Sequence, residues 1–142
     1  MSVSIAPFNK REDNLAELTS LIQQLSTSAT ISSVQRAVES AHCYVLIARD
    51  ESTRKMVGSA TMAQMECPTG IRAHIEDVIV DVNWRGKGIA KRLLEEAIRF
   101  AKYQNAKTID LTSRPEREAA NRLYQKVGFV KRDTNVYRFQ DQ

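Results

Sequence analysis

The chain has 142 residues, of which 42% are hydrophobic and 27% are charged; these proportions are typical of one folded globular domain and exclude a disordered chain. Its net charge of +4 suits an anionic ligand but is too small to indicate nucleic-acid binding by itself. No apolar run reaches the length of a membrane span, and the segment MSVSIAPFNK lacks the order of a signal peptide, so we expect a cytoplasmic protein with no membrane partner.

The first part of the chain is predicted to form a strand and two helices. Val3, Ile5 and Pro7 occupy alternating positions of a short strand. Asp13 or Asn14 can then cap a helix. Its apolar residues recur at helical spacing, and they are Leu15, Leu18, Ile22 and Leu25. A second, more polar helix over residues 32–41 is predicted to lie at the surface.

An antiparallel meander is predicted next. The apolar run at residues 43–48 is typical of a strand that is covered on both faces, and residues 56–65 and 71–82 predict two further strands. Gly58 weakens the first of these two. Polar residues 49–55 and the sequence CPTG at residues 67–70 provide the turns between the three strands.

The last part of the chain is predicted to alternate helices and strands. The segment WRGKGIAKR leads into the clearest helix, which buries one side, formed by Ile89, Leu93, Leu94, Ala97, Ile98 and Ala101. A short strand at residues 107–112 and a helix at residues 116–126, ended by Gly128, follow. Ser113 and Glu116 have the spacing of a capping box for that helix. Residues 129–139 predict a final strand or hairpin.

The segment WRGKGIAKR, residues 84–92, connects the third strand of the meander to the clearest helix. A glycine turn that enters a helix leaves main-chain N–H groups unpaired at the positive end of the helix dipole. Gly86 and Gly88 permit positive φ and the close approach of a phosphate. The surrounding cations are Arg85, Lys87, Lys91 and Arg92. The segment predicts an anion site; a tight turn with solvated cations is the alternative.

Two common nucleotide-binding loops do not fit this segment. A Walker loop requires GxxxxGK followed by Ser or Thr, and a Rossmann fingerprint requires a third glycine where Lys91 stands. The acyl-CoA signature RxxGxA does match, as Arg85, Gly88 and Ala90. With this signature and the motifs HIEDVIV and NRLYQKVGF, the chain resembles the GNAT superfamily of N-acetyltransferases from about His74 to Phe139.

This resemblance implies one α/β (α+β) domain over residues 1–142 with the GNAT fold. That fold has a central, mixed, mostly antiparallel and splayed sheet of about six or seven strands, flanked by about four helices. Acetyl-CoA is implied as the acetyl donor, with its pyrophosphate bound by the turn. The implied residues are Arg85, Gly86, Lys87, Gly88, Ile89, Ala90 and Lys91. Because the fourth strand of the fold splays from the fifth, main-chain groups at Val78, Ile79 and Val80 are implied to bind the pantetheine and the acetyl carbonyl.

Acetyl transfer to an amine requires a base for the amine and an acid for the leaving thiolate. The resemblance implies that Tyr124 is the acid and that Asn121, on the same helical face, binds the cofactor. Glu76 is implied to face the acceptor, as a base acting through a water or as a contact to the ammonium group. His74 is the alternative base, since imidazole titrates near neutral pH.

Strand alternation divides the HIEDVIV segment between two faces. One face is predicted to carry His74, Glu76, Val78 and Val80, and the other Ile75, Asp77 and Ile79. We expect Asp77 to pair with a basic neighbour. Arg114 and Arg117 either begin a helix as solvated side chains or contact an acidic acceptor or the cofactor phosphate.

The chain has two cysteines and two histidines, too few for a convincing zinc site, so we expect reduced thiols and no metal. Cys43 next to His42 is a candidate acyl carrier. Adjacent strand residues point to opposite faces, however, and we interpret Cys43 as a core residue and Cys67 as a turn residue. Direct transfer in a ternary complex is therefore favoured.

The leading hypothesis is an N-acetyltransferase with an unassigned amine acceptor; an amino-sugar phosphate is one candidate acceptor, because HIEDVIV is similar to the strand of glucosamine-phosphate acetyltransferases. The alternative is a non-catalytic acyl-CoA-binding module. Nucleic-acid binding is disfavoured, because basic and aromatic residues are not interleaved. Residues 134–139 give the last predicted strand an apolar side, which predicts a homodimer.

Overall fold

The computed structural model describes residues 2–141 in two compact units, and the boundary between them follows Thr112. In the first unit the elements are β1 (Val3–Pro7), α1 (Leu15–Gln23), α2 (Ile31–Glu39), β2 (Cys43–Asp50), β3 (Met56–Cys67), β4 (Gly70–Val80), a 3-10 helix (Val82–Trp84), α3 (Ile89–Tyr103) and β5 (Thr108–Asp110). The second unit contains α4 (Glu118–Val127). The single-domain organisation stays a prediction.

The sheet has the order β1-β2-β3-β4-β5, with β1 to β4 antiparallel and β5 parallel to β4. The predicted mixed, mostly antiparallel sheet is confirmed, with five strands in the described residues instead of six or seven. Pairing between β4 and β5 covers only Arg72 to His74 on β4. Beyond His74, the β5 side of β4 has no strand partner within residues 2–141, as a splayed sheet requires.

The predicted strand or hairpin at residues 129–139 is wrong: residues 129–141 contain no helix or strand. Four large apolar side chains of this segment are at least 78% exposed, and they are Val130, Val136, Tyr137 and Phe139. Alternating sequence forms a strand only where a neighbouring strand and a buried face stabilise it. Neither is present around these side chains.

The two faces of the sheet pack against different helices. Val45 opposes Thr61 and Ile47 opposes Ser59, so these residues share a face. α1 and α2 cover it, and the core there consists of Leu18, Leu21, Ile22, Val34, Val45, Ile47, Met56 and Ile79. The opposite face packs on α3, where the Tyr44 and Phe100 rings lie 5.9 Å apart.

Gly58 allows β3 and α3 to pack closely, although glycine has a weak propensity for strands. A Cβ atom at this position would lie 3.1 Å from Leu93 Cδ1 and 3.2 Å from Ile89 Cγ2, closer than carbon atoms normally pack. The absence of a side chain therefore lets the first turns of α3 lie directly on β3. This contact fixes the position at which α3 begins.

Local sequence explains the starts of α1 and α2. Asn14 Oδ1 accepts a hydrogen bond from the Glu17 N–H at 2.9 Å, as predicted for one of the two cap candidates. Thr30 and Ser33 form a capping box at the start of α2. The predicted capping box at Ser113 is wrong, because α4 begins at Glu118 with no side-chain cap.

No helix within residues 2–141 has both the length and the apolar character needed to cross a membrane.

Candidate functional site

A β-bulge interrupts β4 at Asp77. The pairing shifts by one residue between Glu76, which opposes Thr61, and Ile79, which opposes Ser59. Asp77 has φ of 51°, a left-handed conformation that Asp adopts more readily than most residues. The bulge re-aims the strand, because each residue beyond it changes faces.

The bulge makes part of the predicted alternation wrong. His74 and Glu76 share a face, as predicted, but Ile79 joins them on the α1–α2 side through its pairing with Ser59. Val80 opposes Gly58 and therefore lies on the α3 side. Both Ile79 and Val80 are buried. Simple period-two alternation cannot detect an inserted residue.

The β4–α3 turn, residues 85–88, has the geometry predicted for it. Gly86 and Gly88 both have φ of 78°, and nothing lies within 4 Å of a Cβ atom built on either. The backbone conformation, and not crowding, therefore requires glycine at both positions. Gly88 is the N-cap of α3 and provides no side-chain cap.

The main-chain N–H groups of residues 86–91 donate no hydrogen bond to any atom of residues 2–141. The first N–H groups of a helix have no partner within the helix, and here no side chain replaces one. The partial positive charge of the helix N-terminus adds to these donors. The turn thus offers a short row of free donors to an anion.

Cations surround the turn at fixed positions. The Lys87 ammonium group lies 5.9 Å from the centroid of the Trp84 ring, within the range of a cation–π contact. Arg85 Nε donates to the Val80 carbonyl at 3.2 Å, which ties the turn to the end of β4. Two of the four predicted cations, Arg85 and Lys87, therefore have contacts that hold them near the turn.

Asp81 fastens the start of the turn to α1. Its carboxylate accepts from the Asn83 N–H at 2.9 Å and from Gln24 Nε2 at 3.0 Å. Gln24 Oε1 in turn accepts from the Val82 N–H at 3.1 Å. The Asn83 N–H and the Gln24 side chain, with the charges of Lys55 and Arg85, hold the pKa of Asp81 below its ordinary value of 3.8 despite burial.

A cavity of about 320 Å³ lies between α1, α2 and the bulge of β4; we call it the α1–α2 cavity. Seven of its twelve lining residues are apolar, among them Leu18, Ile22 and Val34. Four carry hydroxyl groups, and one, Asp77, is charged. Asp77 makes no ion pair within residues 2–141, so the predicted pairing with a basic neighbour is wrong.

The two candidate bases lie next to this cavity but do not line it. Glu76 is exposed and His74 is half-buried on the same sheet face. Glu76 opposes Thr61, which does line the cavity. The predicted carboxylate, Glu76, thus stands one residue before Asp77, which does line the cavity, and its role as a base stays a prediction.

Asn121 and Tyr124 lie in the second unit, on one side of α4. Asn121 Nδ2 donates to the Arg114 carbonyl at 2.9 Å and braces the segment before α4. Tyr124 is half-buried and packs edge-on against Phe129, with ring centroids 6.4 Å apart. Arg114 and Arg117 form a turn through the Arg117 N–H.

Cys43 and Cys67 are free and half-buried, at the first residue of β2 and the last residue of β3. The interpretation of Cys67 as a turn residue is therefore wrong. The residue belongs to β3, which extends beyond the end of its apolar pattern. No hydrogen bond joins His42 to the Cys43 sulfur within residues 2–141. His42 therefore does not activate the Cys43 thiol through a hydrogen bond in this part of the chain.

Comparison with known proteins identifies the family. The sequence profile of the acetyltransferase (GNAT) family matches residues 11–129. The chain belongs to this family. The resemblance deduced from the turn motif is therefore confirmed.

Two curated relatives show how far sequence similarity extends. The chain is 35% identical over 82 residues to a glucosamine 6-phosphate N-acetyltransferase of Trypanosoma brucei brucei, covering 56% of this chain and 54% of that protein. It is 31% identical over 61 residues to an uncharacterized N-acetyltransferase of Methanocaldococcus jannaschii, covering 43% of this chain and 27% of the relative. The chain thus matches about half or less of these two relatives.

A solved structure shows the fold over the whole chain. The aminoglycoside N-acetyltransferase AAC(6')-Iy in complex with the bisubstrate analog CoA-S-monomethyl-acetylneamine has a TM-score of 0.84. It is 17% identical, and the alignment covers 100% of both chains. At this identity the similarity demonstrates a common fold and leaves the acceptor of the GNAT chain open.

Sequence reasoning missed three residues of the site. Asp77 was assigned to the wrong face, and Gln24 and Asp81 were not considered. For Asp77 a signal existed, since two adjacent carboxylates in a strand of apolar residues are unusual and Asp tolerates positive φ. Gln24 contacts Asp81 from 57 positions away in the chain, and no local pattern encodes such a contact.

Proposed function

We propose that this GNAT chain transfers an acetyl group from acetyl-CoA to a primary amine by direct attack in a ternary complex. The observation that carries the proposal is the row of free main-chain N–H groups at residues 86–91, at the positive end of α3. Such a row suits a diphosphate, which accepts several hydrogen bonds and carries negative charge.

The residues of the turn fit that ligand. The amides of Gly86, Lys87, Gly88, Ile89, Ala90 and Lys91 hold the diphosphate, and Arg85 and Lys87 supply charge. The open space at both glycines supports close approach of phosphate oxygens. The unpaired edge of β4 supports main-chain binding of the pantetheine by Val78, Ile79 and Val80. Asn121 has a side-chain oxygen left to accept from the cofactor.

Bound acetyl-CoA supplies an activated acyl group and a thiolate leaving group. The amine nitrogen forms a bond to the acetyl carbon as the carbon–sulfur bond breaks. Glu76, through a water, takes the proton that the amine must lose, with His74 as the alternative base. Tyr124 donates a proton to the departing sulfur and regains one from solvent. The products are an amide and free CoA.

Two other functions make different predictions. A non-catalytic acyl-CoA-binding module binds CoA but needs neither Glu76 nor Tyr124. An amino-sugar-phosphate acetyltransferase is supported by similarity to the T. brucei relative over part of the chain, and it requires cations that bind the acceptor's phosphate.

The proposal is tested by calorimetry with CoA and by turnover with an amine panel. Tyr124→Phe should lower turnover by roughly one to three orders of magnitude and leave CoA affinity unchanged. Tyr103→Phe is the matched control, because Tyr103 is 83% exposed on α3. Unchanged turnover in Tyr124→Phe would assign the acid role to another group. CoA binding without turnover in the wild-type chain would favour the binding module, and absence of CoA binding would remove the proposal altogether.

A homodimer and a cytoplasmic location are part of the same proposal. Tyr137 and Phe139 are 87% and 88% exposed, and apolar side chains of this kind are buried when a partner subunit covers them. Light scattering at micromolar concentration measures the mass. A monomer there would contradict the dimer.

A further inference from the structure

We infer that the amine acceptor is a small primary amine with an apolar body, one positive charge and no phosphate or carboxylate, bound in the α1–α2 cavity with its ammonium group on Asp77. This inference rests on the proposed function and names the substrate class of the same site. It follows from the chemistry of the cavity walls, their free polar groups and the cavity's size.

The walls select an apolar body. Leu18, Ile22, Leu25, Val34 and Val45 line the cavity from α1, α2 and β2. Binding gains about 25 cal/mol for each Å² of apolar surface that leaves water. A sugar or a polyamine would instead lose hydration at these walls without replacing its hydrogen bonds.

Most hydroxyl groups in the walls are already engaged. Ser26 and Ser28 bond to each other at 2.7 Å, and Ser33 Oγ bonds to the Thr30 main chain at 2.9 and 3.1 Å. The Asp77 carboxylate has no hydrogen-bond or ion-pair partner within residues 2–141. It is therefore the charged group of the cavity that a ligand can pair with.

The charge of the walls excludes anionic acceptors. No Lys, Arg or His is among the lining residues, so an acceptor phosphate would find no cation there and would lie near a carboxylate instead. Close like charges disfavour binding, whereas an ammonium–carboxylate hydrogen bond is among the stronger ones. The cavity thus disfavours a glucosamine 6-phosphate and favours a simple ammonium ion.

The cavity, which is open to solvent on one side, has room for about one ring. An engineered protein cavity of roughly 150 Å³ holds one benzene molecule, and the α1–α2 cavity is about twice that, at about 320 Å³. One aromatic ring with a short aminoalkyl arm fits such a volume. A multi-ring aminoglycoside would remain mostly outside.

The bulge explains why Asp77 can serve this role. Asp77 has positive φ and lines the cavity together with Thr61, whereas Glu76 is not a lining residue; both carboxylates are exposed to solvent. Asp77 then binds the ammonium group, and Glu76 remains the proposed route for the proton. The two adjacent carboxylates consequently have separable effects, on acceptor affinity and on turnover.

The test measures binding without turnover, by titrating 2-phenylethylamine into the full chain with and without CoA. Glucosamine 6-phosphate, kanamycin and uncharged 2-phenylethanol are titrated in parallel. We expect 2-phenylethylamine to bind about tenfold or more tightly than the other three. Tighter binding of glucosamine 6-phosphate or kanamycin would overturn the inference, even if CoA binds as proposed.

Three variants test whether the ammonium group of the acceptor contacts Asp77 in the α1–α2 cavity. Asp77→Asn retains the side-chain shape and the tolerance of positive φ. It should weaken the binding of 2-phenylethylamine roughly ten- to hundredfold and leave the binding of 2-phenylethanol unchanged. Glu76→Gln removes the adjacent charge and should lower turnover without changing amine affinity. Ala37→Phe fills the cavity and should abolish amine binding with CoA affinity intact. Unchanged amine affinity in Asp77→Asn, or in a folded Ala37→Phe, would overturn the inference.

Discussion

The β4–α3 turn and the α1–α2 cavity offer a ligand different kinds of atoms. The turn presents main-chain N–H groups of one short segment, residues 86–91. The cavity presents side chains from Leu18 to Asp77, contributed by α1, α2 and three strands. A site of contiguous backbone depends on local conformation, whereas a site of dispersed side chains depends on how the elements pack.

The comparison has a functional meaning within the GNAT family. A donor common to many enzymes can be bound by backbone, because main-chain groups are the same whatever side chains surround them. An acceptor that varies must be selected by side chains. Substitutions in the turn should therefore alter the affinity for acetyl-CoA alone. Substitutions in the cavity should alter the affinity for the amine acceptor alone.

The largest effect is expected at Gly88. Gly88→Val places a β-branched residue at φ of 78°, which costs about 1–3 kcal/mol in backbone strain or displaces the turn. CoA affinity by calorimetry should fall roughly ten- to hundredfold, and 2-phenylethylamine affinity should not change. Gly88→Asn is the control, because Asn adopts positive φ more readily. Equal losses in both variants would show that the side chain, and not the backbone, matters here.

Asp81 connects the β4–α3 turn to α1 through Gln24. A substitution at Asp81 therefore tests whether the turn and the α1–α2 cavity are independent. Asp81→Asn loses charge-assisted hydrogen bonds from Asn83 and Gln24, and it should lower the free energy of unfolding by about 1.5–3 kcal/mol near neutral pH. Because the folded pKa is lowered from its ordinary value of 3.8, this stabilisation is present above that ordinary value and is lost as pH falls through the folded value.

Urea unfolding of wild type and Asp81→Asn across this pH range measures the difference, which should shrink in acid. Asp50→Asn is a matched control: hydrogen bonds from Thr53 and Ser52 also lower the pKa of Asp50, but Asp50 lies away from the turn. Only Asp81→Asn should weaken CoA binding. A constant difference at all pH values would mean that the Asp81 charge does not stabilise the turn.

The smallest effect is expected at Ser59, on the sheet face that α1 and α2 cover. Ser59 is fully buried, and its Oγ has no hydrogen-bond partner. Ser59→Ala should raise the free energy of unfolding by about 1 kcal/mol, since an unpaired buried hydroxyl is costly. Thr19→Val, which removes a hydroxyl bonded to the Leu15 carbonyl at 2.9 Å, should give no such gain. Destabilisation by Ser59→Ala would reveal a partner for that hydroxyl.

Residue patterns predicted the elements well where the signals were local. The strand β1, the cap of α1 as one of two candidates and most of the buried side of α3 were all predicted correctly, since each depends on neighbours within a few positions. The bulge at Asp77 was not predictable from alternation. Because of it, Ile79 and Val80 each lie on the sheet face opposite to the predicted one. Residues 129–139 failed for the opposite reason: their pattern suits a strand, but no partner strand pairs with it in the described chain.

The sequence alone determined the family, the antiparallel meander and the glycine turn that enters α3, because glycine spacing, apolar periodicity and helix termini act through the backbone at short range. Only the tertiary structure decided that Asp77 faces the α1–α2 cavity, that Gln24 holds Asp81, and that Gly58 admits α3. Those contacts join residues far apart in the chain, and their geometry exists only once the helices have packed on the sheet.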